Sequence, residues 1–221
     1  QLSLEGRPGL VLSNGEFGNR LIDQARRFRL DFKTLEFAWG QPFDLGAIRK
    51  ALEQACSNTG TTTVPNAGPF SVSDILAGQP QRPAAAAPGW LWCTHCETST
   101  SVLNDLDALK ALCAEFNVRL CLDCISSIGN VPLDLTGVFL ASASSGKGLR
   151  SYPGISMVFH HHEVAPQPER LPRYLDLGYY AQQQGVPFTF SSNLLHALHA
   201  AVRHVEWDRR FAGIVELSSF L

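Results

Sequence analysis

Residues 118–148 read VRLCLDCISSIGNVPLDLTGVFLASASSGKG. Two short apolar runs, Val118 to Asp123 and Val138 to Ala143, are separated by a loop containing Gly and Pro, and each ends in small polar residues. Runs this short, rich in Val, Leu and Cys and bounded by turn residues, are buried strands rather than helices. Asp123-Cys124-Ile125-Ser126-Ser127 follows the first. Ser142-Ala143-Ser144-Ser145-Gly146-Lys147-Gly148 follows the second.

The same grammar extends in both directions. Towards the C-terminus a strand is expected at Ile155 to Phe159, then a final helix from about Ser192 with Leu194, Leu195, Leu198, Val202 and Val205 inward. Towards the N-terminus, Leu106, Leu109, Leu112, Cys113 and Phe116 fall at helical spacing, and Trp90 to Cys93 is another strand. Gly9 to Ser13 is a buried strand ending at Asn14-Gly15. Leu21, Ile22, Ala25 and Phe28 form one face of the next helix, Phe32 to Ala38 is a strand, and Asp44 caps a helix carrying Leu45, Ile48, Leu52 and Ala55. Strands alternating with helices of this length specify an α/β fold, a three-layer α/β/α sandwich on a mainly parallel sheet. The 57–89 stretch, with little charge or periodicity, reads as an insertion or mobile loop holding at most a short helix near Val72 to Ala77.

Composition narrows the function classes. The 221 residues are 45% hydrophobic and 17% charged, with 18 Lys and Arg against 20 Asp and Glu. No basic face is implied, so nucleic acid and anionic membrane are poor partners. With no long apolar run and no basic-then-apolar leader, the expected location is the cytoplasm.

In open α/β sheets ligands collect at the carboxyl ends of the strands. Four such ends carry polar or Gly-rich clusters here: Asn14 to Gly18, Thr94 to Thr100, Asp123 to Ser127, and Ser142 to Gly148. Two pairs of Cys-x-x-Cys, Cys93/Cys96 and Cys121/Cys124, suggest zinc by spacing. The strand assignment opposes it, because Cys93 and Cys121 fall inside neighbouring buried strands rather than in a knuckle. His160-His161-His162 alternate faces at a strand exit and do not converge on an ion. No metal site is expected.

Five collinear stretches, SNGEFGNR (Ser13 to Arg20), HCETSTSVLN (His95 to Asn104), LDCISSIGNVPLDL (Leu122 to Leu135), SASSGKGLRSYPG (Ser142 to Gly154) and PFTFSSNLLHAL (Pro187 to Leu198), resemble the class V aminotransferases. These are a branch of the fold-type I pyridoxal-phosphate enzymes, and the likeness is to the alanine– or serine–glyoxylate and 2-aminoethylphosphonate–pyruvate enzymes. The resemblance implies that residues 1–221 form the large domain of such an enzyme, transferring an amino group from a small amino donor to a 2-oxo acid such as pyruvate or glyoxylate. It implies pyridoxal 5'-phosphate as cofactor and a homodimer as assembly. Lys147 would carry the cofactor as a Schiff base and move the substrate proton. Asp123 would pair with the pyridine nitrogen. Phe17 would stack on the ring, Thr98 would bond near its phenolic oxygen, and Ser144 and Thr189 would contact the phosphate, Thr189 from across the dimer.

Two departures from the family pattern stand out. Gly146 replaces the glutamine that commonly precedes the lysine, and Ser101 stands where glycine usually follows Glu-Thr-Ser-Thr. The resemblance also implies that the family's N-terminal phosphate loop and small C-terminal domain lie outside residues 1–221. The competing expectation is therefore a non-catalytic scaffold, or an excised fragment, of the same fold.

Overall fold

A computed structural model describes residues 1–4, 6–57 and 87–220. The expectations for the 57–89 stretch, including the helix near Val72 to Ala77, lie mostly outside them. The core is a six-stranded sheet in the order β2-β1-β3-β6-β7-β8. Its strands are β1 (Gly9–Ser13), β2 (Phe32–Glu36), β3 (Trp90–Thr94), β6 (Arg119–Asp123), β7 (Leu140–Ser144) and β8 (Ser156–Phe159). All neighbours run parallel except β7 and β8, which are antiparallel. The remaining strands, β4 (Cys96–Glu97) and β5 (Val102–Leu103), form a separate small antiparallel hairpin.

Helices cover both faces, as sequence periodicity requires of strands apolar on both sides. On one face α2 (Leu45–Ser57) and α3 (Leu106–Glu115) bury Ile48, Leu52, Leu109 and Leu112 against Leu12, Leu91, Leu120 and Leu122 of the sheet. On the other, α1 (Glu16–Arg27) packs Leu21, Ile22 and Ala25 on Val11 and Trp90. Gly9 is obligatory by space, because a Cβ there would lie 2.2 Å from the Trp90 ring. Asp44 starts α2 as expected, its carboxylate accepting from the Gly46 and Ala47 amides at 2.8 and 3.1 Å.

The C-terminal region differs from its expected form. After a short helix α4 (Leu177–Gln182) come α5 (Ser192–Arg203) and a further helix, α6 (Trp207–Ser218). The apolar side of α5 is not buried: no residue of the helix is, and Leu195 is 42% exposed. Periodicity marks which side of a helix is apolar, but not whether anything covers it. The chain also does not end its regular structure with α5. The last helix begins after Glu206, whose side chain makes no capping bond, so its start carries no N-cap signature in the sequence.

Candidate active site

Three parallel strands end side by side. Thr94 pairs in register with Asp123, and Asp123 with Ser142, so the turns that follow them open at one edge of the sheet. The turn after β1 completes the group. Its shape depends on glycine: a Cβ on Gly15 would lie 2.6 Å from Glu97 Cδ, and one on Gly18 2.6 Å from Ser13 Cα. With these contacts satisfied, the chain enters α1 with Phe17 in its first turn.

Glu97 is the hub of this arrangement, and nothing in its motif singles it out by residue type. The residue is wholly buried. One carboxylate oxygen accepts from the Gly18 amide at 2.9 Å. The other accepts from the Ser99 amide at 3.2 Å and the Ser99 hydroxyl at 2.5 Å. Ser99 Oγ in turn accepts from the Glu16 amide at 3.0 Å. The Phe17 turn and the β4–β5 turn that carries Thr98 are thereby tied together by charge-assisted bonds. Asn14 and Asn104, also buried, brace the same edge: Asn14 Nδ2 donates to Asn104 Oδ1 at 3.0 Å, and Asn104 Nδ2 donates to the Thr94 carbonyl at 3.1 Å.

Lys147 projects from the exposed turn after β7. Its ammonium lies 5.4 Å from the centre of the half-buried Phe17 ring and 3.4 Å from Ser126 Oγ. Arg20 approaches the same ring at 4.9 Å. Asp123 sits at the end of β6 and accepts from the Ile125 amide at 2.9 Å. Burial pushes its carboxyl above the ordinary 3.8, opposed by the Ile125 bond and the Lys147 charge and reinforced by Glu97. An acid held this way gains from a cation brought beside it.

The expected site residues thus fall into two groups. Phe17, Asp123 and Lys147 are brought together, with Ser126 as an addition. Ser144 closes β7 and lies 3.5 Å from the Gly146 amide through its hydroxyl. Thr98 is exposed in the hairpin turn linked to Phe17 through Ser99 and Glu97. Thr189 is different. It is exposed on the segment before α5, beside Phe188, whose ring stacks on Tyr174 at 4.5 Å.

The Ser101 and Gly146 departures differ: the first sits in a conformation that suits glycine better, the second where only glycine fits. Ser101 adopts φ +57°, the left-handed region that favours glycine. Gly146 is confined by space, because a Cβ there would lie 2.7 Å from Pro153 Cβ, so a glutamine at this position has no room.

Four of the six cysteines, Cys93, Cys113, Cys121 and Cys124, are core residues, whereas Cys96 is half-buried and Cys56 exposed. Cys93 and Cys121 are buried in adjacent strands. Burial pushes the Cys113 and Cys124 thiols up to about 12. Among the described residues no group of three or more His, Cys, Asp or Glu is arranged to hold a metal ion. The three consecutive histidines take separate partners: His160 Nδ1 the His162 carbonyl at 2.8 Å, His161 Nε2 the Leu135 carbonyl at 3.1 Å, and His162 the Phe139 ring at 4.1 Å.

His95 adds a pH dependence. It is 4% exposed, its Nδ1 is buried without a partner, and burial holds its pKa below the ordinary 6.5, although Asp107 pulls the other way. The folded state therefore resists protonation that the unfolded chain accepts. Stability is full above the unfolded pKa and falls as pH drops below about 6.5 towards the lowered folded value. The melting temperature of His95→Gln is expected to fall less than that of the parent between about pH 7 and about pH 5. Equal slopes would show that His95 is not the group responsible.

No protein-family profile matches the chain. It is 32% identical over 206 residues to a soluble hydrogenase 42 kDa subunit of Anabaena cylindrica, covering 87% of this chain and 45% of that one. It is 27% identical over 190 residues to a 2-aminoethylphosphonate–pyruvate transaminase of Aeromonas hydrophila, covering 83% of this chain and 42% of the relative. Among solved structures, an alanine–glyoxylate aminotransferase from Nostoc sp. matches with a TM-score of 0.70 and 29% identity, over 95% of this chain and 52% of that one. The chain spans about half the length of the curated relatives it matches.

Proposed function

We propose, since the chain belongs to the class V aminotransferases of the fold-type I pyridoxal-phosphate enzymes and matches them over about half their length, that it is the cofactor-holding large domain of an aminotransferase. The observation that carries this reading is the meeting of Lys147, Phe17 and Asp123 at one sheet edge, with Lys147 Nζ 5.4 Å from the Phe17 ring centre. Residues 1–221 are read as that one domain. The reaction proposed is amino transfer from a small amino donor to a 2-oxo acid such as pyruvate or glyoxylate, in a cytoplasmic homodimer. Among the described residues no helix is long and apolar enough to cross a membrane.

The residues suit the ring half of pyridoxal phosphate. An aromatic face, a half-buried acid and a lysine amine surround one space, and Thr94 Oγ1, in register beside Asp123, is buried with no partner. When bound, the cofactor supplies an electron sink for a substrate carbanion. Lys147 would be the covalent anchor and, as a free amine, would hold and move the proton of the substrate Cα. Asp123 offers its carboxylate to the pyridine nitrogen, and a cation there relieves the cost of its burial. Phe17 orients the ring by stacking. Ser126 holds the lysine amine when it is not engaged, at 3.4 Å. Thr98 is assigned to the ring's phenolic oxygen. Ser144 is assigned to the phosphate, and so is Thr189, supplied by the second subunit.

The test is a titration of the purified chain with pyridoxal phosphate, followed by Schiff-base absorbance and then by discharge of the band with small amino donors. A saturable band that amino donors bleach is the expected result. A chain with no band beyond that of free lysine at equal concentration would instead be a non-catalytic scaffold, or an excised fragment, of this fold.

A further inference from the structure

The helix α6 contributes one side chain to the two turns that carry Lys147 and Asp123. Arg210 Nε donates to the Gly129 carbonyl at 2.5 Å, and Nη2 donates to Asn130 Oδ1 at 2.8 Å and to the Gly148 carbonyl at 3.0 Å. Gly129 and Asn130 belong to the loop that leaves Asp123, and Gly148 follows Lys147. One guanidinium on α6 thus bridges two turns, at Gly129-Asn130 and at Gly148.

The backbones it joins already touch. A Cβ on Gly148 would lie 2.2 Å from the Ile128 carbonyl oxygen, and one on Gly129 2.7 Å from the Gly148 carbonyl oxygen. Gly129 further needs its φ of +76°. Asn130 fastens its own loop by donating to the Ser126 carbonyl at 2.9 Å. At such a contact two carbonyls and an amide oxygen converge, and a planar cation with several fixed donors satisfies all three together. Partial burial and the Arg150 charge lower the Arg210 pKa, against the carbonyl acceptors, which favour the cation.

We propose that Arg210 is a positioning residue, fixing the Lys147 turn against the Asp123 loop so that amine and carboxylate keep their relative placement. Its role in catalysis rests on the aminotransferase reading; the clamp itself does not. Arg210 touches neither reacting group. It acts through the carbonyls of Gly129 and Gly148.

The test compares the parent chain with Arg210→Gln and Arg210→Lys, using three readouts. The first is hydrogen exchange without cofactor. Arg210→Gln is expected to speed exchange about tenfold or more at the Ile128, Asn130 and Val131 amides and at Arg150 and Ser151, leaving β1 and β3 unchanged. Arg210→Lys, a cation with no fork, should lie between. The second readout uses the four lysines of the chain, Lys33, Lys50, Lys110 and Lys147. In competitive acylation, the rate at Lys147 alone changes in Arg210→Gln, because the turn that carries it is no longer held. The other three lysines are internal controls that a general loosening of the fold would move as well. Unchanged exchange at both turns, or a Lys147 acylation rate that does not change, overturns the proposal whether or not the cofactor binds. The third readout, the Schiff-base band of the parent chain, bears only on the aminotransferase reading. Its absence alongside a positive result in the first two would sink that reading and leave the clamp standing.

Discussion

Lys147→Ala is expected to melt with the parent chain and to lose all covalent uptake of pyridoxal phosphate. The stability half follows from surroundings. The side chain is exposed, its one hydrogen bond is long at 3.4 Å, and it forms no ion pair among the described residues. Surface changes of this kind stay within about 0.5 kcal/mol. The functional half follows from the part proposed for the amine, as both anchor and proton carrier, so amino transfer is expected to fall by at least about 10²–10⁴-fold. Lys110→Ala is the control. Its ammonium is largely covered and pairs with Asp134 at 3.0 Å, so its loss should lower the melting temperature and leave the absorbance band in place. Absorbance titration and thermal melting of the two variants check both halves. A Lys147→Ala protein that still developed the band would show the amine to be elsewhere. One that melted far below the parent would make Lys147 a structural residue.

The sheet was legible because its strands are apolar on both faces and stop abruptly at Asn14, Thr94, Asp123 and Ser144, where the chemistry then gathers. The sequence order of these ends does not disclose their spatial order. That emerges only from the pairing of β1 with β3 and of β3 with β6. Glu97 and Arg210 escaped notice for a common reason. An acid between a cysteine and a threonine, and an arginine beside Arg209 on a mixed helix, both look solvated, as most charged residues are. Each is held by partners on the backbone (Gly18 N–H for Glu97, the Gly129 and Gly148 carbonyls for Arg210), and backbone partners leave no trace in residue types. The apolar side of α5 shows the reverse error, a face that reads as core and is only partly covered among the described residues. Gly146 was legible as a departure, but its cause, the closeness of Pro153, was not.

Asp123→Asn separates folding from cofactor chemistry by moving them in opposite directions. Burial raises the Asp123 carboxyl above 3.8, so between 3.8 and the raised value the folded chain keeps a proton that the unfolded chain has lost. Stability contributed by this group therefore falls as pH climbs through that window, and near neutral pH the fold carries the cost of a charged, half-dehydrated carboxylate. Asparagine removes that charge and retains an oxygen to accept from the Ile125 amide, now bonded at 2.9 Å. The cofactor-free variant is expected to melt no lower than the parent at neutral pH, and to lose the parent's decline across that acidic window. Its amino-transfer rate is expected to fall about 100-fold or more, the scale of a lost charge partner at a reacting group, because a neutral amide cannot keep the pyridine nitrogen protonated. Thermal melts across pH and single-turnover absorbance with an amino donor measure the two effects. A variant that melted lower yet turned over as fast as the parent would reverse both signs, making Asp123 a structural acid and leaving the pyridine nitrogen without a partner in this chain.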